Sequence, residues 1–320
     1  IGAGILSLPL ISGLSGLWIT LPLLILAWVL MTYTGLLVLE VTLSLQAHHN
    51  SFSSMAYETL GLPGKITAWI TCLLLLYALI SAYISGDSSL LTLLMKQQFH
   101  LTLPTSVTAC LFILIFGGMV WWSTRCVDLF NRFFLSIKGG ALIICIALLM
   151  PSIQWPLLNQ YEVNYHFFGI LPLFLTAFGY HHIIPTLTNY VGHHPRTLKK
   201  IIIAGTSIPF IIYLAWLIVT LGTIPLTGTY SFDTLMQHHS DLSFLLISID
   251  HLQHNPWLHQ SLSLFANIAV TTSFLGVSIG LFDFLADSCQ RDNTRWGRTQ
   301  TALLTFTPPL LFAVFTLEVS

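Results

Sequence analysis

The sequence predicts an all-α polytopic membrane protein, and three observations lead there. Of 320 residues only 11 are Lys or Arg and 12 are Asp or Glu, 7% in all; a soluble chain at roughly 25% charged would carry about 80. Hydrophobic residues make up 55%, gathered in runs of the roughly 20 residues that a helix needs to cross a bilayer core. The basic residues fall almost entirely to one side of those runs. The runs are too long and too uniformly apolar for alternating barrel strands. A net charge of −1 without a basic run excludes a nucleic-acid binder, and the composition excludes a disordered tail.

In chain order, half a span at 1–13 is followed by spans near 16–46, 66–95, 103–122, 126–150, 167–190, 201–224, 259–288 and 300–317. The first and seventh full spans exceed the minimum, so they tilt or extend into water. Between the first two, a Ser run, Glu58 and the closing Gly61-Leu62-Pro63-Gly64 predict a short amphipathic helix between turns. The longest loop, 225–258, carries Asp233, Asp241 and Asp250 with apolar patches such as 244–249, and predicts a structured outer cap with short helices. With the loop after the first full span set inside, Lys65, Arg125, Arg132, Arg196, Lys199, Lys200, Arg291, Arg295 and Arg298 all lie inside. Only Lys96 lies outside, and Lys138 lies within a span. That bias puts loops 47–64, 192–200 and 289–299 on the cytoplasmic side. There is no initiator Met or charged n-region, so Ile1–Leu10 reads as a chain entered in mid-helix rather than a signal peptide. The five cysteines show no C-x-x-C spacing and read as free thiols.

Two apolar segments carry interruptions that a simple span would avoid. One is Ile1-Gly2-Ala3-Gly4-Ile5 with Pro9 beyond it; the other is Ala177-Phe178-Gly179-Tyr180-His181 between Pro172 and Pro185. Glycine weakens a helix by about 1 kcal/mol and proline by about 3. Freed backbone groups at membrane depth are tolerated only where they line a protein cavity. Breaks in corresponding positions, about five spans apart, are the mark of an inverted-repeat transporter with its site at the midplane. Gly276-x-x-x-Gly280, by contrast, reads as a close-packing face.

Several motifs carry a resemblance. They are Gly2-Ala3-Gly4-Ile5-Leu6 through Pro9, Leu39-Glu40-Val41, Tyr83-Ile84-Ser85-Gly86 and Val127-Asp128-Leu129-Phe130-Asn131-Arg132-Phe133. To these add Phe178-Gly179-Tyr180-His181 and Thr272-Ser273-Phe274-Leu275-Gly276 through Gly280-Leu281-Phe282-Asp283. In this order, over essentially the whole chain, they resemble the aromatic amino acid permeases. The resemblance implies a LeuT-like fold of two inverted five-helix repeats with helices 1 and 6 broken. It implies one transporter domain over 1–320, with the first repeat in 1–150 and the second in 167–320. It also implies proton-coupled uptake across the bacterial inner membrane, as a multi-pass protein. Members of that family carry a tenth and an eleventh helix, which this chain lacks, along with the first half of helix 1. The expected protein is thus truncated at both ends, and an inactive fragment is an alternative.

An amino-acid zwitterion at the midplane needs both charges met. Helix N-termini suit a carboxylate, so it is expected at the amides of Gly2, Ala3 and Gly4. The carbonyls of Ala177 and Phe178, beside Gly179, are expected to take the ammonium. An aromatic side chain wants polarisable apolar walls: Phe178, Phe274, and Tyr77 with Ser81 one turn further on are the candidates. Tyrosine is the leading substrate, with tryptophan or phenylalanine the alternative.

Charges inside spans are read as functional by default. Lys138 lies two turns into helix 5, and the resemblance places it near the helix 1 break and Thr272 and Ser273. Burial penalises its charge, so it is a candidate to exchange a proton. The alternative is a lysine that snorkels, or pairs with Asp128 or Glu40. Glu40 is expected to be buried and aimed at the helix 6 break, as proton carrier or as a brace. His181 titrates near neutral pH by default and is the third coupling candidate. Asp287, ending helix 8, matches an inner-gate aspartate of sodium-coupled relatives. Asp128 and Arg132, four apart, are expected to make a local ion pair.

Thirteen histidines include His48-His49, His193-His194 and His238-His239, but no acidic or Cys ligand completes a metal set. No nucleophile elbow, H-E-x-x-H or paired-carboxylate motif points to an enzyme. No filter loop or ring of charge points to a channel. The expected partners are an aromatic amino acid, protons and the lipid bilayer, without cofactor, metal, nucleic acid or inferred protein partner, and the proton gradient is the energy source.

Overall fold

The computed structural model describes residues 2–44, 52–161, 167–237, 242–253, 255–289, 291 and 294–319, and among them it contains helices and no strand. In chain order the helices are α1 (Gly4–Ser12), α2 (Gly16–Ser44), α3 (Phe52–Phe99), α4 (Thr105–Phe112), α5 (Gly118–Trp122), α6 (Thr124–Leu149) and α7 (Trp155–Leu158). They continue as α8 (Phe167–Ala177), α9 (Ile184–Val191), α10 (Pro195–Leu221), α11 (Phe232–Gln237), α12 (Leu242–Gln253), α13 (Pro256–Ser288) and α14 (Arg295–Val319). Among the described residues, six stretches are long and apolar enough to cross a membrane: Gly4–Ser44, Met55–Lys96, Thr105–Trp122, Thr124–Ser152, Pro195–Leu221 and Pro256–Ala286. The span expected at 167–190, with its break at 177–181, consists of two short helices, α8 and α9, with the chain opened between them. The span expected at 300–317 falls inside α14, which carries Pro308 and Pro309. The segment 225–258, expected as an outer cap, contains the short helices α11 and α12 among its described residues.

Local chemistry sets the corners. α3 breaks at Gly61, whose φ of 67° and ψ of −158° suit a residue without Cβ, and this separates the short inner helix expected before it from the long span after it. Ser123, extended at φ −166°, turns the chain from α5 into α6, and its hydroxyl caps the new helix by accepting from Arg125 N at 3.2 Å. Arg298 closes the end of α5, donating to Trp121 O at 2.7 Å and Val120 O at 2.8 Å.

Two compact units emerge, each assembled from separated pieces of chain. The first takes Ala3–Cys72 and Gln154–Gly222. In it α2 packs against α8, α9 and α10, and α1 packs against α8 and α10. Leu39, Ile184, Leu198 and Ile202 form one buried cluster, Trp28 stacks on Phe210 at 4.9 Å, and Thr32 donates to Thr206 at 3.0 Å. The second takes Gly2, Leu73–Ile153 and Thr223–Ser320. Here α6 lies along α13, α13 packs on α12 and α14, and α14 on α4. Its core is aromatic and aliphatic, with Ile84, Phe112, Val127, Phe274, Phe282 and Phe306 buried together.

Candidate functional site

In the first unit the break between α8 and α9 is a built feature. Pro172 lies inside α8, and the helix closes as Phe178 N donates to Phe174 O at 3.3 Å and Gly179 N to Thr176 O at 2.9 Å. Tyr180 then adopts φ −125°, ψ −1°, off the helical path, before a 3₁₀ turn over His181–Ile183 leads into α9. α1 meets this break directly: a Cβ added to Gly4 would lie 3.4 Å from Cα and Cβ of Ala177. The two interruptions read from the sequence are therefore neighbours here. Ala3 at the N-cap of α1 has no side-chain acceptor, so the first-turn amides of Gly4 and Ile5 are not consumed by a capping side chain.

The loosened segment is tied down from α2 and α10. Tyr213 Oη donates to Ala177 O at 3.1 Å, and its ring meets Phe178 edge-on at 5.2 Å. Tyr180 Oη donates to Met31 O at 3.1 Å. Gly35 is what admits that ring, because a Cβ there would overlap the Tyr180 hydroxyl. His181 Nε2 lies 2.8 Å from Thr34 Oγ1, whose own hydrogen is directed at Leu30 O, 2.8 Å away. One expectation needs adjusting: the Ala177 carbonyl, expected to await an ammonium, already accepts from Tyr213, leaving one lone pair.

Lys138, in the second unit, is 8% exposed and donates to Thr272 Oγ1 at 2.8 Å. Thr272 spends its single hydrogen on Ile268 O at 2.7 Å, so its lone pairs are turned to the ammonium. Lys138 therefore neither snorkels nor pairs with Asp128, which is bound to Arg132 at 2.9 Å in the expected local ion pair. Ser273 donates to Ala269 O at 2.7 Å, and a Cβ on Gly2 would overlap its hydroxyl. Gly2, Lys138, Thr272 and Ser273 thus share one unit.

Other expected residues sit elsewhere. Glu40 is exposed, not buried; its neighbour Leu39 faces the α9–α10 cluster, and one residue further turns the side chain by about 100° around the helix. Tyr77 Oη donates to Leu304 O at 2.8 Å, the carbonyl that Pro308, lacking an N–H, leaves unserved in α14. Ser81 donates to Tyr77 O at 2.9 Å or to Pro309 O at 3.2 Å. Both hydroxyls therefore brace the proline-weakened helix. Phe274 is fully buried, edge-on to Phe112 at 4.7 Å and 5.9 Å from Phe306, a core position and not an open wall. Asp287 lies in α13, but its side chain is outside the described residues, as are His48, His49, His238 and His239.

The sequence reading passed over Asp87. It is 3% exposed within the Met55–Lys96 span, accepts from Thr271 Oγ1 at 3.3 Å, and its Oδ2 has no hydrogen-bond partner among the described residues. Its signal was a carboxylate inside a long apolar run.

Comparison with known proteins joins these features. The profile of the tryptophan/tyrosine permease family matches residues 1–317. A tryptophan-specific transport protein of Pseudomonas aeruginosa is 35% identical, over 97% of this chain and 75% of its own. Tyrosine-specific transport system 1 of Haemophilus influenzae is 33% identical, over 98% and 77%. A low affinity tryptophan permease of Escherichia coli is 32% identical, over 98% and 77%. These relatives are transporters rather than enzymes. With its broken helix, its apolar spans and a match running from end to end, the chain belongs to the tryptophan/tyrosine permease family.

Proposed function

We propose that the protein imports an aromatic amino acid across the bacterial inner membrane, driven by the proton gradient, through alternating access of a LeuT-like fold. The observation that carries this reading is the family match across residues 1–317. The contact of Gly4 with Ala177 supports it, because it brings a helix start and a helix break to one place. In this reading 1–150 and 167–320 are the two repeats, each contributing one interrupted helix. The amides at the start of α1 take the carboxylate, helped by the helix dipole. The carbonyls of Phe178 and Ala177 take the ammonium, and Phe178, held by Tyr213, offers an aromatic edge. Lys138, resting on Thr272, exchanges the proton. Loops 47–64, 192–200 and 289–299 face the cytoplasm.

Tyrosine is the proposed substrate. Tryptophan is the second reading, favoured by the 35% identity to a protein named for it. The test is uptake of labelled tyrosine and, separately, tryptophan by the complete protein in proteoliposomes with an inward proton gradient. Uptake that collapses with a protonophore and is blocked by unlabelled aromatic amino acids but not by leucine is expected. Absence of gradient-dependent uptake of any aromatic amino acid by folded protein would overturn the reading, and preferential uptake of tryptophan would select the second one.

A further inference from the structure

We propose that Asp87 is a second proton-binding site of the transport cycle, reached from the outer side and separate from Lys138. The proposal rests on the proton-coupled reading above. Asp87 stands in α3 nine residues before Lys96, roughly 14 Å along the helix from the end expected outside. Its side chain is 3% exposed. An ionised carboxylate offers two oxygens with about four acceptor positions. The described residues meet one of these, through the Thr271 hydroxyl at 3.3 Å, while Oδ2 is buried without a partner. No ion pair reaches Asp87 among the described residues, so its charge is uncompensated there. A buried carboxylate so poorly served is costly, and a proton on Oδ2 removes the charge.

The groups packed around Asp87 and its immediate α3 neighbours favour a proton over a metal cation. From α13 come Thr271, which donates to Asp87, and, one residue on, Thr272, which accepts from the Lys138 ammonium of α6. From α4, Thr108 donates to Ser88 O at 3.2 Å, and from α12 Leu242 approaches Gly86. Tyr83 lies one turn back on α3 itself. Lys138 is the only charged group in that set, and it is a cation that would repel a second one. Adjacent threonines of one helix thus hold a buried carboxyl and a buried ammonium, so a movement of α13 alters both contacts together. In the step proposed, Oδ2 takes a proton from hydronium in outer water: an Oδ2–H bond forms, an O–H bond of hydronium breaks, and water leaves. The reverse transfer to water of the inner side completes the cycle, and no electron changes hands.

The experiment measures proton entry into proteoliposomes holding the complete protein and a trapped pH-sensitive dye, alongside labelled-substrate exchange. Wild-type protein that transports substrate without acidifying the lumen would sink the proton-coupled reading itself. If wild type acidifies, Asp87→Asn is expected to keep measurable exchange while acidification is lost, and Asp87→Glu to restore it in part. Equal acidification by wild type and Asp87→Asn would overturn the assignment. Thr271→Val guards against a folding defect in Asp87→Asn. Removing the Thr271 donor to Oδ1 should displace the pH midpoint of uptake, and an unmoved midpoint in folded Thr271→Val would also overturn it.

Discussion

The break between α8 and α9 and the locus around Lys138 are built from opposite materials. At the break, the polar groups are backbone carbonyls, hydroxyls and one imidazole: Tyr213 on Ala177 O, Tyr180 on Met31 O, and His181 beside Thr34. In the second unit the polar groups are an ammonium and a carboxyl, each resting on one threonine of α13. Neutral dipoles suit a ligand that brings both of its own charges, since they answer it without leaving a charge behind when it departs. Titratable side chains suit a step in which the charge itself changes. The division suggests that holding the substrate and exchanging the proton are tasks of different residues, and substitutions in each region should separate them.

The largest stability effect is expected from Phe274→Ala. Emptying a fully buried aromatic position should cost about 3–5 kcal/mol, read as a lower unfolding temperature, with the KM of the remaining transport close to wild type. A raised KM without loss of stability would move Phe274 from the core to the substrate wall and blur the comparison. Next comes Gly4→Val, where the side chain meets Ala177 at van der Waals distance. Overpacking of about 1–3 kcal/mol is expected, with uptake falling more than stability. Gly140→Ala in α6 is the control, because a Cβ there meets nothing within 4 Å; it should be neutral or gain roughly 0.5–1 kcal/mol. Tyr213→Phe removes one donor from Ala177 O and should cost about 0.5–1.5 kcal/mol, accompanied by a change in KM. Tyr77→Phe, of similar size, should leave KM unmoved because it serves α14. Arg132→Ala should be smallest: its partner is on the same exposed helix face, and such pairs contribute little.

Much of this was legible in the residues. Glycine and proline announce lost helix bonds, so the break at 177–181 and the Gly61 corner could be read directly from composition along the chain. The Asp128–Arg132 pair followed from spacing alone. Lys138 beside Thr272 came through the family resemblance, since nothing local pairs residues 134 positions apart. What failed was helical phase and long-range partnership. Glu40 was assigned to the interior, yet Leu39 holds that face. The polar pair Tyr77 and Ser81 looked like a binding surface because Pro308, which leaves the Leu304 carbonyl for Tyr77, and Pro309, whose carbonyl Ser81 meets, lie more than 220 residues away. Asp87 was overlooked although a carboxylate in an apolar run is the most telling residue a membrane helix can carry.

The most direct test of the division is Lys138→Met, with gradient-driven accumulation and substrate-for-substrate counterflow measured in the same proteoliposomes. The account predicts that accumulation no longer responds to the proton gradient while counterflow remains measurable. Accumulation that stays gradient-driven as in wild type, or accumulation and counterflow falling in step in folded protein, would contradict it.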